Sequence, residues 1–367
     1  MSKIIHLTSV HPRYDVRIFH KECVSLSKNW EVALIVADNK RDEICQNIKI
    51  YDVGKENGRF NRIFKTTNKI YQKALQLDGD IYHLHDPELI PIGLKLLKNN
   101  KKVIFDAHED VPKQILNKPY LKKWLAKILA NFYQKYEHKS LQKFTGIITA
   151  TPYIRDIFLP INTNTLDICN FPKLEEFNIQ NNDNNQTKNN VCYIGGLTQV
   201  RGIQEIVEAT QYLSSSICLK IAGQFSESDF EQKIKSLPTW NNVDYLGFLN
   251  REEISQLLNQ SFCGLVTLHP IPNYLDAYPV KMFEYMAMGL PVIASNIPLW
   301  KNIIDNEECG LCVNPNNPQE IANAIEFLFN NKDKVIQMGE NGKKAILQKF
   351  NWKIEEDKLF SFYGNLL

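Results

Sequence analysis

The sequence predicts an α/β protein built from two Rossmann-like domains that face each other, each a parallel sheet covered by helices. Three observations predict it. Short β-branched runs (KIIHLTSV, EVALIVA, KVIFDAH, GIITA) alternate with segments of helical period along the whole chain, as strands and their crossover helices do. At 367 residues the chain exceeds what one hydrophobic core organises. A polar stretch at 178–190, NIQNNDNNQTKNN, interrupts the alternation, which restarts at once with VCYIGGL.

The elements follow in order. Residues 1–172 make the first domain, 173–190 an Asn-rich linker, and 191–349 the second domain. The linker has almost no apolar residue with which to enter a core. A closing helix at 350–367 places Trp352, Leu359, Phe360 and Tyr363 at helical spacing and is a candidate to cross back to the first domain.

Composition excludes several classes. A hydrophobic share of 44% and a charged share of 23% are those of an ordinary globular protein. No apolar run reaches the roughly 18 residues of a membrane span. The start, Lys3 to Val10, lacks the pattern of a secretory signal, so a cytoplasmic protein is expected. The eight cysteines mostly sit in apolar runs, and only Cys309 and Cys312 have ligand-like spacing. Neither a disulfide framework nor a metal site is predicted. No nucleic-acid-binding module is recognisable. Residues 1–150 carry a net charge of +10 and the remainder −8, which suggests an anionic partner for the first half.

Ligands of open α/β sheets bind beyond the carboxyl ends of the strands, so polar residues just after apolar runs are the candidates. The strongest group is DAYPVKMFEYMAMGLPVIAS, residues 276–295. Pro279 suits a helix start, and Gly289 with Pro291 stop that helix before a strand. Its first amides form an anion site. Glu284, one turn in, could accept from two ribose hydroxyls; the alternative is a solvated carboxylate near a helix N-terminus. A second group, YIGGLTQVRG, gives a strand, a Gly-rich turn and Arg201, whose forked guanidinium suits phosphate.

These segments resemble glycosyltransferase family 4, retaining enzymes of GT-B fold whose signature separates two acids by seven residues, as Asp276 and Glu284 are here. The resemblance covers nearly the whole chain and is strongest from Val191 to Val313. It implies that Glu284 holds the donor ribose and that Asp276 faces the donor sugar. In place of the family's Glu-Gly-Phe-Gly this chain has Asp276-Ala277-Tyr278-Pro279, with fewer free amides. Relatives grip the diphosphate with an Arg and a Lys; Gly196 stands at the first position and Arg201 at the second, and Lys281 is a candidate for the missing charge. The turn Gly247, Phe248, Leu249 corresponds to the loop that receives the base. His108 corresponds to an active-site His on the donor sugar, with His85 and Glu109 as neighbours.

The loop SVHPRYDVRIFHKE resembles an Asp-x-Arg loop of bacterial polysaccharide-assembly transferases. It offers Arg13, Asp15, Arg17 and Lys21 to acceptor or phosphate, or else is an ordinary basic first turn. YHLHDPE and FDAHED could supply metal ligands, but they lie apart in the chain and no metal is expected. Asp78-Gly79-Asp80 fits the metal-binding pattern of another transferase fold, yet it precedes a strand. Residues 59–73 and 121–143 mix basic residues with aromatics at helical spacing. Such a stripe either packs on its own sheet or lies on an anionic membrane.

The expected function is transfer of a sugar from a nucleotide-sugar, with UDP the expected nucleotide. The acceptor is a saccharide or a polyprenyl-diphosphate-linked saccharide in O-antigen, capsule or exopolysaccharide assembly. The expected place is the cytoplasm, at the inner face of the membrane. No cofactor is expected. The alternatives are a nucleotide-sugar epimerase of the same fold and an inactive binding scaffold; a dehydrogenase is disfavoured because no Gly-x-Gly-x-x-Gly turn follows a strand.

Overall fold

The computed structural model describes residues 2–118, 121–176 and 188–367. Most of the Asn-rich segment expected as a linker lies outside the described residues. The chain forms two compact units, Met1–Asn170 with Trp352–Leu367, and Phe171–Asn351.

The first unit holds an eight-stranded sheet: β1 (Lys3–Leu7), β2 (Glu31–Val36), β3 (Glu43–Cys45), β4 (Ile48–Asp52), β5 (Ile81–Leu84), β6 (Lys102–Ala107), β7 (Gly146–Thr149) and β8 (Thr165–Asp167). Its order is β3-β4-β2-β1-β5-β6-β7-β8. Every neighbouring pair is parallel except the β3–β4 hairpin. There Gln46 and Asn47 both take positive φ (50° and 64°), the backbone that a two-residue hairpin loop requires. The central strands are apolar on both faces because helices cover both. On one side Ile70, Ala74, Ile90, Leu96 and Leu141 close the core. On the other side Ile18, Phe19 and Cys23 pack with Trp352, Leu359 and Tyr363 of the C-terminal helix Trp352–Gly364. That helix is pinned by Trp352 Nε1 donating to Ser25 Oγ (2.9 Å) and by the Cys169 amide donating to Glu355 (2.8 Å).

The second unit holds β9 (Asn190–Ile194), β10 (Cys218–Ala222), β11 (Val243–Gly247), β12 (Ser261–Val266), β13 (Val292–Ser295) and β14 (Gly310–Val313). All are parallel, in the order β11-β10-β9-β12-β13-β14. Each sheet has one switch point, where successive connections leave in opposite directions. It falls between β1 and β5 in the first unit and between β9 and β12 in the second. Crevices form at such points.

Candidate functional site

In the second unit the β9–β12 switch point opens into a cavity of about 380 Å³. Gly195 and Arg201 line it from the turn after β9, and Tyr274, Ala277, Tyr278, Lys281 and Glu284 line it from the segment after β12. The helix Val280–Ala287 starts at Pro279. It buries Met282, Phe283, Tyr285 and Met286, which leaves Lys281 and Glu284 to turn to the cavity. The Ile194 amide donates to Tyr285 Oη (3.1 Å), fixing the helix against the end of β9. Trp300 Nε1 donates to the Ala277 carbonyl (2.8 Å) and ties down the preceding loop.

Two cations meet over a bare backbone. A Cβ on Gly195, whose φ is +128°, would stand 3.1 Å from Lys281 Nζ and 3.2 Å from Arg201 Nη1. Gly202, which closes this turn at φ +71°, lies so near the Thr267 carbonyl that a Cβ would come within 2.1 Å of its oxygen. Only glycine fits there. Lys281 Nζ sits 3.7 Å over the Tyr193 ring and, among the described residues, is buried with no hydrogen-bond acceptor. Burial, with Arg201 beside it, pushes its ammonium well below the usual lysine value. A buried ammonium and a guanidinium around an open cavity make an anion site.

The other expected donor residues divide. Glu284 faces the cavity. Arg251, which the sequence reading missed, donates to it from Nη1 (2.8 Å). The only sequence signal was the capping box of Asn250 and Glu253, which sets Arg251 as the first residue of its helix, three before the cavity-lining Ile254. Asp276 ends the short helix Pro272–Leu275; its neighbours Ala277 and Tyr278 line the cavity rather than Asp276 itself. Gly196 approaches Arg201, whose Nη1 would be 3.5 Å from a Cβ there. Gly247 turns at φ +66°, and its carbonyl accepts from the Gly223 amide (2.7 Å). Phe248 is exposed and Leu249 partly buried, and neither they nor Gly247 line this cavity.

In the first unit the β1–β5 switch point gathers histidines and acids. His108 Nε2 meets Asp106 Oδ2 at 2.8 Å, and His85 Nδ1 meets the same oxygen at 3.2 Å. His85 Nε2 lies 2.8 Å from His6 Nδ1, and His83 Nδ1 lies 2.8 Å from Tyr363 Oη. Burial lowers the pKa of His6, His83 and His85. Burial, with Asp106 nearby, raises that of Glu22. Asp106 is held well below the carboxylate range, because Arg17 and His108 outweigh its burial. His108 is the partly exposed member, and Glu109 beside it is exposed.

Three expectations are corrected here. Arg13, Arg17 and Lys21 are buried within the first unit rather than presented to an acceptor or phosphate. Arg13 is buried and forks onto Asp38 (both contacts 2.7 Å). Arg17, 5% exposed, forks onto Asp106 at 2.9 and 2.8 Å and meets Glu22 at 3.1 Å. Lys21, 2% exposed, donates to the Asn170 carbonyl (3.1 Å). For Arg17 and Lys21 the cause is the packing of helix Val16–Cys23 on the sheet, which turns their stems inward toward Asp106 and Asn170. Asp15 caps that helix, accepting from the Arg17 and Ile18 amides (2.8 and 3.0 Å). These bonds and His11 hold its pKa low against its burial.

His6, Glu22, His83 and His85 bring one ligand atom each within 4.8 Å of one another, as do His85, Asp106 and His108. Asp106 is already filled by Arg17, His85 and His108, so the latter set is a hydrogen-bonded network. Asp78 is the left-handed cap of helix Thr67–Leu77, and Asp80 accepts from the Lys3 amide (2.8 Å). Both lie at the amino edge of the sheet, away from the switch point.

Residues 175–345 match the family model described as Glycosyl transferases group 1. The capsular polysaccharide biosynthesis glycosyltransferase CapM of Staphylococcus aureus is 26% identical over 188 residues, covering 48% of this chain and 46% of that one. The chain spans less than half the length of the first curated relatives that it matches. Sucrose-phosphate synthase from Thermosynechococcus elongatus superposes with a TM-score of 0.78 at 17% identity, covering 100% of this chain and 99% of that one. Anabaena Alr3699/HepE in complex with UDP-glucose gives 0.76 at 15% identity, covering 100% of both chains. Identities this low establish fold alone. The two Rossmann-like units are therefore those of the GT-B fold, and it is the second unit that the group 1 glycosyl transferase model matches.

Proposed function

We propose that the protein is a retaining glycosyltransferase that takes its sugar from a nucleotide-sugar, with UDP as the nucleotide. The acceptor would be a saccharide or polyprenyl-diphosphate-linked saccharide in cell-surface polysaccharide assembly. One observation carries the reading. Lys281 and Arg201 converge over Gly195 at a cavity whose wall also presents Glu284.

A donor diphosphate placed there would satisfy the buried Lys281 ammonium, and Glu284 could accept from the ribose. As the glycosidic bond breaks, negative charge grows on the departing diphosphate. Cations already in place stabilise that charge without reorganising. They supply the charge that a metal would otherwise bring, so the proposed reaction is metal-independent. His108, held by Asp106, is the proposed contact to the donor sugar. CapM acts in capsular polysaccharide biosynthesis and Alr3699/HepE binds UDP-glucose; both support the substrate classes chosen.

The test is a thermal-shift panel of UDP, GDP, ADP and CMP with chelator, on wild type and Glu284→Ala. One nucleoside diphosphate should stabilise the wild type, and the variant should lose most of that gain. Absence of any stabilisation at millimolar ligand would sink the donor site. Anomeric analysis of the product with the matching nucleotide-sugar then tests retention.

A further inference from the structure

Two helices of the first unit wear their large apolar side chains on the outside. Phe60 and Phe64, near the start of the continuous helix 59–77, are 81% and 68% exposed and stack on each other. In helix Lys123–Leu141, Trp124, Ile128 and Phe132 are 62%, 56% and 74% exposed. Their spacing of four residues makes one stripe. The inward face of this helix is built from Ala126, Ala130, Ser140 and Leu141. A helix stabilised only by its own sheet has the opposite arrangement.

Topology puts the two stripes on one rim. Helix 59–77 ends just before β5, and helix Lys123–Leu141 ends just before β7, so both finish at the amino edge of the sheet. Each reaches back about 28 Å at 1.5 Å per residue, which carries its first half to the carboxyl edge and past it. Helix Ile90–Lys98 packs against both, so they share one face of the sheet. The charge is one-sided. Residues 59–73 hold five basic residues and no acid, and residues 121–136 hold four and no acid.

We propose that this rim is a docking surface for an anionic lipid bilayer, with the aromatics entering the headgroup layer and the lysines meeting lipid phosphates. A second copy of the chain fits less well, because a self-complementary contact would bring two positive patches together. The surface stands without the transferase reading. Its purpose rests on that reading: the carboxyl edge, where His108 lies, would be held near headgroups that carry a lipid-linked acceptor.

The experiment uses the full chain with phosphatidylcholine vesicles, with and without phosphatidylglycerol. The protein should sediment with the anionic vesicles, weakly with the neutral ones, and less at high salt. Tryptophan emission should shift to the blue on binding, and Trp124→Phe should remove most of that shift. Phe60→Ser combined with Phe132→Ser should weaken partitioning by about tenfold or more, since it takes two aromatic rings out of the headgroup layer. These sites are exposed, so the melting temperature and the nucleoside diphosphate response of the double variant should match wild type. Equal binding to both vesicle types, no binding to either, or a dimer that Phe132→Ser dissolves would each overturn the proposal. A normal nucleotide response beside absent vesicle binding separates this failure from failure of the donor site.

Discussion

Arg251 Nη1 donates to Glu284 Oε1 across 2.8 Å, so one oxygen of the proposed ribose acceptor is already oriented by a neighbouring helix. Arg251 Nη2 also stands 3.7 Å from Glu176, and the side chain is half exposed. The pair therefore contributes little to stability. Its expected role is to aim the carboxylate. Arg251→Ala should leave the melting temperature nearly unchanged and weaken nucleoside diphosphate binding about five- to tenfold, about 1–1.4 kcal/mol. It should also shrink the preference for the ribonucleotide over its 2′-deoxy form, and Arg251→Lys should restore part of it. Calorimetric titration with both nucleotides measures this. An unchanged ribo-to-deoxy ratio in the alanine variant would rule out the aiming role.

Lys281 is expected to oppose stability while serving binding. Its ammonium is buried without an acceptor among the described residues, and its folded pKa lies well below the ordinary lysine value of 10.5. Between those two values the unfolded chain binds more protons, so stability rises with pH through that window. Lys281→Met keeps the volume and removes the charge. It should raise the melting temperature by about 2–4 °C and weaken nucleoside diphosphate binding by about tenfold or more. Scanning calorimetry paired with titration checks both signs; a fall in both quantities would contradict the assignment.

The first unit should show two opposed pH dependences of stability. His6 and His83 have lowered folded pKa values, so the unfolded chain takes up protons first and stability falls as pH drops below about 6.5. Glu22 has a raised folded pKa, so its contribution is complete below its ordinary 4.5 and is lost as pH rises toward the folded value. Glu22→Gln copies the protonated form and should remove the loss of stability that sets in above pH 4.5, leaving the histidine dependence in place. Asp106→Asn is a different case, because it leaves the buried Arg17 facing a neutral amide, at a cost of about 3–5 kcal/mol. His108→Ala, at the partly exposed end of the network, should cost far less stability while lowering turnover. Melting curves from acid to mildly alkaline pH for the three variants separate these effects. A Glu22→Gln curve parallel to wild type would refute the Glu22 assignment.

How much of this was legible follows from what a sequence encodes locally. Strand runs such as EVALIVA and the Gly195-Gly196 turn announce themselves because backbone conformation is set by near neighbours. The convergence of Lys281 and Arg201 could be guessed, since both follow strands that flank a switch point. Arg17 could not be placed correctly: its partner Asp106 is 89 residues away, and nothing near Arg17 signals that burial awaits it. Arg251 was invisible for the same reason, its acid lying 33 residues on. The basic aromatic helices gave a pattern compatible with two packings. Only the side on which Ala126 and Ala130 fall decided that Trp124 and Phe132 face outward.

The turn after β9 supplies a last contrast, between two adjacent glycines. Gly195 has φ +128°, and its missing Cβ is the space in which Lys281 Nζ and Arg201 Nη1 come together. Gly196 has no positive φ, and a Cβ there would meet Arg201 Nη1 at 3.5 Å, ordinary contact. Gly195→Ala therefore strains the backbone and pushes the cations apart, whereas Gly196→Ala does neither. Backbone strain of this kind costs about 1–3 kcal/mol, so the first variant should melt lower and lose most nucleoside diphosphate affinity. The second should keep both within about twofold. Equal losses in the two variants would mean that the turn acts through general rigidity, and that the cation pair over Gly195 is not what the anion meets.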